Sequence, residues 1–183
     1  RFFQIINHPK GLAIGARHLT ISTCGLIDKI EMYAYEGIQT NLAISLHAPN
    51  DEIRNQLMPI NKAYPMDELR KAIQFYIEKT NRRVTLEYIL LKDVNDQLIH
   101  ARQLAHYVKG LNAYVNLIPY NAVDEHGFQQ STKDNVTAFK NELLRLKINV
   151  TQRKEHGRDI DGACGQLRAK KVGGSQNGNH RKN

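Results

Sequence analysis

Residues 84–91 read Val-Thr-Leu-Glu-Tyr-Ile-Leu-Leu. In an extended chain Val84, Leu86, Tyr88 and Leu90 share one face, and Thr85, Glu87, Ile89 and Leu91 the other. Only Thr85 and Glu87 are polar by type, so the stretch reads as a strand covered on both sides. Strands of that kind belong to α/β folds with a mostly parallel sheet, and the flanking sequence agrees.

Upstream, Pro65, Asp67 and Glu68 form an acidic first turn. Leu69, Ala72, Ile73, Tyr76 and Ile77 then give an amphipathic stripe. Before it, Asn50 and Asp51 cap a short helix through Leu57, broken at Pro59. Residues 41–47, Asn-Leu-Ala-Ile-Ser-Leu-His, form an apolar run that reads as a buried parallel strand. Leu26, Ile30, Tyr33 and Ala34 repeat at helical spacing up to Gly37, after a β-branched strand at 18–24. Residues 1–17, with Pro9, Gly11 and Gly15, read as loop.

Downstream, Asn95 and Asp96 are expected to cap a helix carrying Ala101, Leu104, Ala105 and Val108, ending at Gly110. A strand at 114–118 closes at Pro119, and residues 120–130 are a polar loop. Ser131 and Thr132 with Asp134 resemble a capping box for a helix lined by Val136, Phe139, Leu143 and Leu146. Residues 148–153 are a last short strand, and 172–183 lack any apolar pattern and read as a disordered tail. Five strands alternating with helices predict α/β. A closed eight-stranded barrel takes about 250 residues, so 183 allow only an open or partial one. Ligands of such sheets gather at the carboxyl ends of the strands. The residues there are Ser22, Thr23 and Cys24; Ser45, Leu46 and His47; and Asn121.

With 26 basic against 18 acidic residues the net charge is +8, which favours a polyanionic partner such as RNA. The two cysteines, Cys24 and Cys164, make no disulfide framework and suggest a reducing cytoplasm. No apolar run approaches the roughly 18 residues of a membrane span, so no membrane partner is expected. The chain starts at Arg1 without Met or signal peptide and reads as excised from something longer. Residues 158–167, Arg-Asp-Ile-Asp-Gly-Ala-Cys-Gly-Gln-Leu, put Cys164 on a glycine-flanked loop. A lone cysteine is by default a small core residue, but a thiol on such a loop could also swing toward a site. Cys24, at a strand end, reads as structural.

Several stretches carry a resemblance: residues 11–25, 42–50, 57–61 (Leu-Met-Pro-Ile-Asn), 94–96, 115–121 (Val-Asn-Leu-Ile-Pro-Tyr-Asn) and 159–167. Together they resemble the carboxyl-terminal half of the RlmN-type radical S-adenosylmethionine (SAM) methyltransferases, which methylate adenine C2 in 23S rRNA and certain tRNAs. The resemblance implies the carboxyl-terminal part of a partial (βα) radical SAM barrel over residues 1–168, with 169–183 as a basic tail. It implies SAM contacts at Ser22, Ser45, Leu46, His47 and Asn121. Cys164 matches a thiol that takes a methyl from one SAM. A second SAM, cleaved at a [4Fe-4S] cluster fed by a reductant, yields the radical that moves this carbon to the ring.

The family's Cys-x3-Cys-x2-Cys cluster motif, its glycine-rich SAM segment and its resolving cysteine are absent. The chain is therefore expected to hold no metal and to be an incomplete enzyme. A thiol near pKa 8.5 is only a few per cent ionised at pH 7, and Asp159 and Asp161 would oppose ionisation of Cys164 if close. Candidate phosphate contacts are Arg82, Arg83, Arg153, Lys154, Arg158, Arg168, Lys170 and Lys171. Two alternatives remain: an adenine-C8 methyltransferase sharing the thiol chemistry, and a non-catalytic basic α/β RNA-binding module. A conventional Cys–His pairing of Cys164 with His47 or His156 has no local signature.

Overall fold

The computed structural model describes residues 2–121 and 127–153. Cys164, Lys154, Arg158, Arg168, Lys170, Lys171 and the expected tail lie outside the described residues. The strands are β1 (Thr20–Thr23), β2 (Asn41–Ser45), β3 (Val84–Leu90), β4 (Ala113–Pro119) and β5 (Val150–Gln152). The helices are α1 (Phe2–Asn7), α2 (Ile27–Tyr35), α3 (Asp51–Leu57), α4 (Met66–Thr80), α5 (Leu98–Val108) and α6 (Lys133–Arg145). The five strands form one sheet in chain order, every neighbouring pair parallel. The α/β expectation holds, with parallel pairing throughout.

Register follows from what each strand buries. Leu42, Ile44 and Leu46, Val84, Leu86, Tyr88 and Leu90, and Ala113, Val115 and Leu117 point to one face. There they meet Ile30 and Ala34 of α2, Leu69, Ile73 and Tyr76 of α4, Ala101 and Leu104 of α5, and Phe139 and Leu143 of α6. A slip of one residue would turn the whole apolar set away from these helices, so burial sets the register. Truncating a fully buried leucine such as Leu86 to alanine removes about 2–5 kcal/mol.

The reading of β3 as covered on both sides holds in part: on the other face Thr85 and Leu91 are buried while Glu87 and Ile89 are half-buried, and the helices of the core cluster pack on the opposite face. Local structure departs elsewhere for identifiable reasons. Residues 2–7 are helical rather than loop, and 16–18 form a 3-10 turn. Leu26 and Gln97 are N-cap residues, so α5 is not capped by Asn95 or Asp96, whose side chains are drawn into the loop beyond β3. Asn50 caps α3 by accepting from Ile53 N–H, whereas the Asp51 side chain accepts from Met66 N–H at the start of α4. Thr132 alone caps α6, because the Ser131 hydroxyl donates to Asp96 instead.

Candidate functional site at the carboxyl ends of the strands

All five strands run the same way, so their carboxyl ends share one edge. Ser22 pairs with Ala43 in register, and Ser45 with Glu87, Glu87 with Asn116, and Asn116 with Thr151. The alternation places all of these on the face away from the helices. The result is a polar row across β2 to β5. Asn116 Nδ2 donates to Glu87 Oε2 at 2.8 Å, and the Thr151 hydroxyl donates to Asn116 Oδ1 at 3.1 Å. Sequence reading passed over Glu87, Asn116 and Thr151. The available signal was a polar residue in the middle of an otherwise apolar strand, as in Val115-Asn116-Leu117.

Ser22 is exposed and Ser45 half-buried. Leu46 is fully buried in the core, its N–H donating to the Glu87 carbonyl and its carbonyl accepting from Arg54. His47 turns the chain with φ 56°. Its N–H donates to the Glu87 carbonyl, its carbonyl accepts from Asn95 Nδ2, and its Nδ1 accepts from Ile89 N–H. Burial first, then the Arg54 charge, pushes its pKa down to about 4, so the ring is neutral at physiological pH.

Asn95 is fully buried and links three segments. It accepts from Leu91 N–H and donates to the carbonyls of His47 and Ile89. Asp96 beside it accepts from Asp93 N–H, the Ser131 hydroxyl and Asn135 Nδ2, joining this loop to the start of α6. The end of β4 carries Tyr120, packed edge-to-face on Phe128, with its buried hydroxyl unpartnered among the described residues. Asn121 follows, exposed. The strand ends thus bring Ser22, Ser45, His47 and Asn121 to one edge.

Two of the basic candidates lie elsewhere. Arg82 and Arg83 precede β3, at the amino ends of the strands, where Arg82 Nη2 donates to Asn41 and Arg83 sits 4.5 Å from the Tyr114 ring centroid. Arg153 is exposed at the carboxyl end of β5. Among the described residues no group of three or more His, Cys, Asp or Glu could hold a metal. Cys24 is a half-buried free thiol.

A sequence called "Probable dual-specificity RNA methyltransferase RlmN" from Spiroplasma citri is 62% identical over 173 residues, covering 94% of this chain and 50% of that protein. Over almost its whole length the chain is similar to RlmN-type sequences. A sequence of the same name from Geobacillus kaustophilus is 59% identical over 170 residues, covering 93% of this chain and 47% of the other. The chain spans about half the length of the RlmN relatives it matches. A solved radical SAM methyltransferase from Sphaerobacter thermophilus superposes with a TM-score of 0.86 at 42% identity, over 89% of this chain and 48% of that one. A domain of a pyruvate-formate lyase-activating enzyme from Bacteroides vulgatus shares the fold alone, at 14% identity, TM-score 0.51, covering 73% of this chain and 98% of that domain. No protein-family profile matches the chain.

Proposed function

We propose that the RlmN-type protein of which this chain forms half methylates C2 of adenine in 23S rRNA and tRNA, carrying the methyl on Cys164. The observation that supports it most is identity of 62% across 94% of the chain to a sequence named as a probable dual-specificity RNA methyltransferase. A cytoplasmic enzyme with RNA substrates fits the charge of +8.

The residues present fit SAM. Ser22, Ser45 and Asn121 present small polar groups along one edge, and the orphaned Tyr120 hydroxyl is a buried donor without a partner among the described residues. SAM supplies an electrophilic methyl group when bound. Ser22, Ser45 and Asn121 would hold its polar atoms by hydrogen bonds, and His47 would offer an Nε2–H donor. Leu46 acts indirectly, anchored in the core so that Ser45 and His47 stand on either side of it. Cys164 would be the nucleophile that takes that methyl group, with the neutral thioether as the leaving group. The thiol must lose its proton first, since the thiolate is the nucleophile.

A [4Fe-4S] cluster does not fit the described residues of this chain, which gather no set of cysteines. In the full-length protein its ligands, and the contact with a reductant, would come from residues outside this chain. The test is nucleoside mass spectrometry of RNA treated with the full-length protein. Wild type yields 2-methyladenosine, and Cys164→Ser yields none. An 8-methyladenosine product assigns the protein to the C8 relatives, and methylation that survives Cys164→Ser overturns the carrier role.

A further inference from the structure

Arg54 lies on a seven-residue helix among polar neighbours, Asp51-Glu52-Ile53-Arg54-Asn55-Gln56, where a solvated side chain is the ordinary expectation. It is instead fully buried. Its Nε donates to the Leu46 carbonyl at 3.2 Å, and its Nη2 to the carbonyls of Cys24 at 2.8 Å and Ser45 at 3.4 Å. Its Nη1 donates to Asn61 Oδ1 at 2.7 Å. The β1–β2 pairing ends at Thr23 and Ile44, and the guanidinium sits where the two chains leave it.

We propose that Arg54 is a positioning residue that fixes the carboxyl ends of β1 and β2 against each other, and with them the edge that holds SAM. This rests on the SAM site proposed above. A planar group with divergent N–H donors can take carbonyls from two strands at once, whereas an ammonium is a single point of charge. Among the described residues no carboxylate forms an ion pair with Arg54. Removing a cation from water is costly, and carbonyl dipoles compensate it here, so the arrangement is not a cheap way to fill space.

Two other features are explained by the same clasp. Asn61, almost fully buried, holds Arg54 with its oxygen while its Nδ2 donates to Asp51 and Asn55. The 3-10 turn Pro59–Lys62 delivers that side chain, which gives the stretch at 57–61 a purpose. Gly25, at φ 101°, passes directly over the guanidinium, and a Cβ there would lie 3.1 Å from Arg54 Nη2 and from Leu69.

The experiment compares Arg54→Lys and Asn61→Ala with wild type in the full-length, cluster-loaded protein. It measures SAM and RNA dissociation constants and amide hydrogen exchange. Arg54→Lys should weaken SAM binding at least tenfold while RNA affinity stays within twofold. Exchange should rise at residues 22–28 and 44–49 but not across α5. Asn61→Ala keeps the guanidinium and loses one anchor, so it should shift SAM affinity three- to fivefold the same way. If Arg54→Lys does not fold, Asn61→Ala decides. SAM affinity within twofold of wild type in a folded variant, or faster exchange spread evenly over the protein, overturns the proposal. If wild type itself binds no SAM, the proposed function fails, and the exchange pattern alone still decides the clasp.

Discussion

Ile89 N–H donates to His47 Nδ1 at 3.2 Å. A ring nitrogen that accepts from an amide carries no proton, so the imidazole is the neutral tautomer with its hydrogen on Nε2. The other ring nitrogen is thereby a donor.

Its titration has a definite sign. The native pKa is pushed from 6.5 down to about 4, so between those values the unfolded chain binds a proton that the native chain does not. The contribution is complete above pH 6.5 and is lost as pH falls toward 4. Its full size is about 3 kcal/mol, of which roughly 2 falls between pH 7 and pH 5. His47→Gln, whose amide oxygen can accept from Ile89 N–H, should remove this part of the pH dependence. Urea denaturation of the full-length protein at pH 7 and pH 5 checks it, and an equal loss in wild type and variant would contradict it.

Asn95→Ala leaves Leu91 N–H and the His47 and Ile89 carbonyls without their partner in a fully buried position. The expected destabilisation is about 3–5 kcal/mol. Asn95→Asp should be worse, because a carboxylate oxygen would face two carbonyl oxygens. Urea midpoints rank the two, and an aspartate variant as stable as wild type would show the amide to be oriented the other way.

Glu142 joins α5 to α6, accepting from Arg145 Nε at 2.8 Å and Arg102 Nε at 2.7 Å. Arg145 first, then Arg102, hold its pKa down at about 2 against 4.5. The stabilisation is present above pH 4.5 and fades as pH falls toward 2. Glu142→Gln should therefore be less stable than wild type at pH 6 and approach it at pH 3. Thermal melts at the two values check this, and a constant difference would count against it.

The basic residues should separate by position. Arg153→Ala should weaken RNA binding and reduce the slope of log affinity against log salt by about 0.7–0.9. Arg83→Ala should leave that slope unchanged, since the guanidinium is over Tyr114 at the amino ends of the strands. Filter binding of the full-length protein between low and moderate salt measures both.

The fold was legible because its signals are local. The alternation in Val84–Leu90 and the stripe of α4 each lie within one element, and each marks the face that becomes core. The strand-end candidates Ser22, Ser45, His47 and Asn121 followed from one rule about parallel sheets. Asn95 and Asp96 misled for a physical reason: a side chain good at capping is equally good at closing a loop, and only neighbours distant in sequence decide which.

Sequence alone therefore determined the alternation of elements, the parallel sheet and the edge where a ligand would sit. Tertiary structure alone decided that Glu87, Asn116 and Thr151 form one row and that Arg54 lies beneath two strand ends. Those contacts join residues some 30 positions apart in most cases. They depend on strand register, which the burial of the opposite face sets, and no local pattern of residues encodes that.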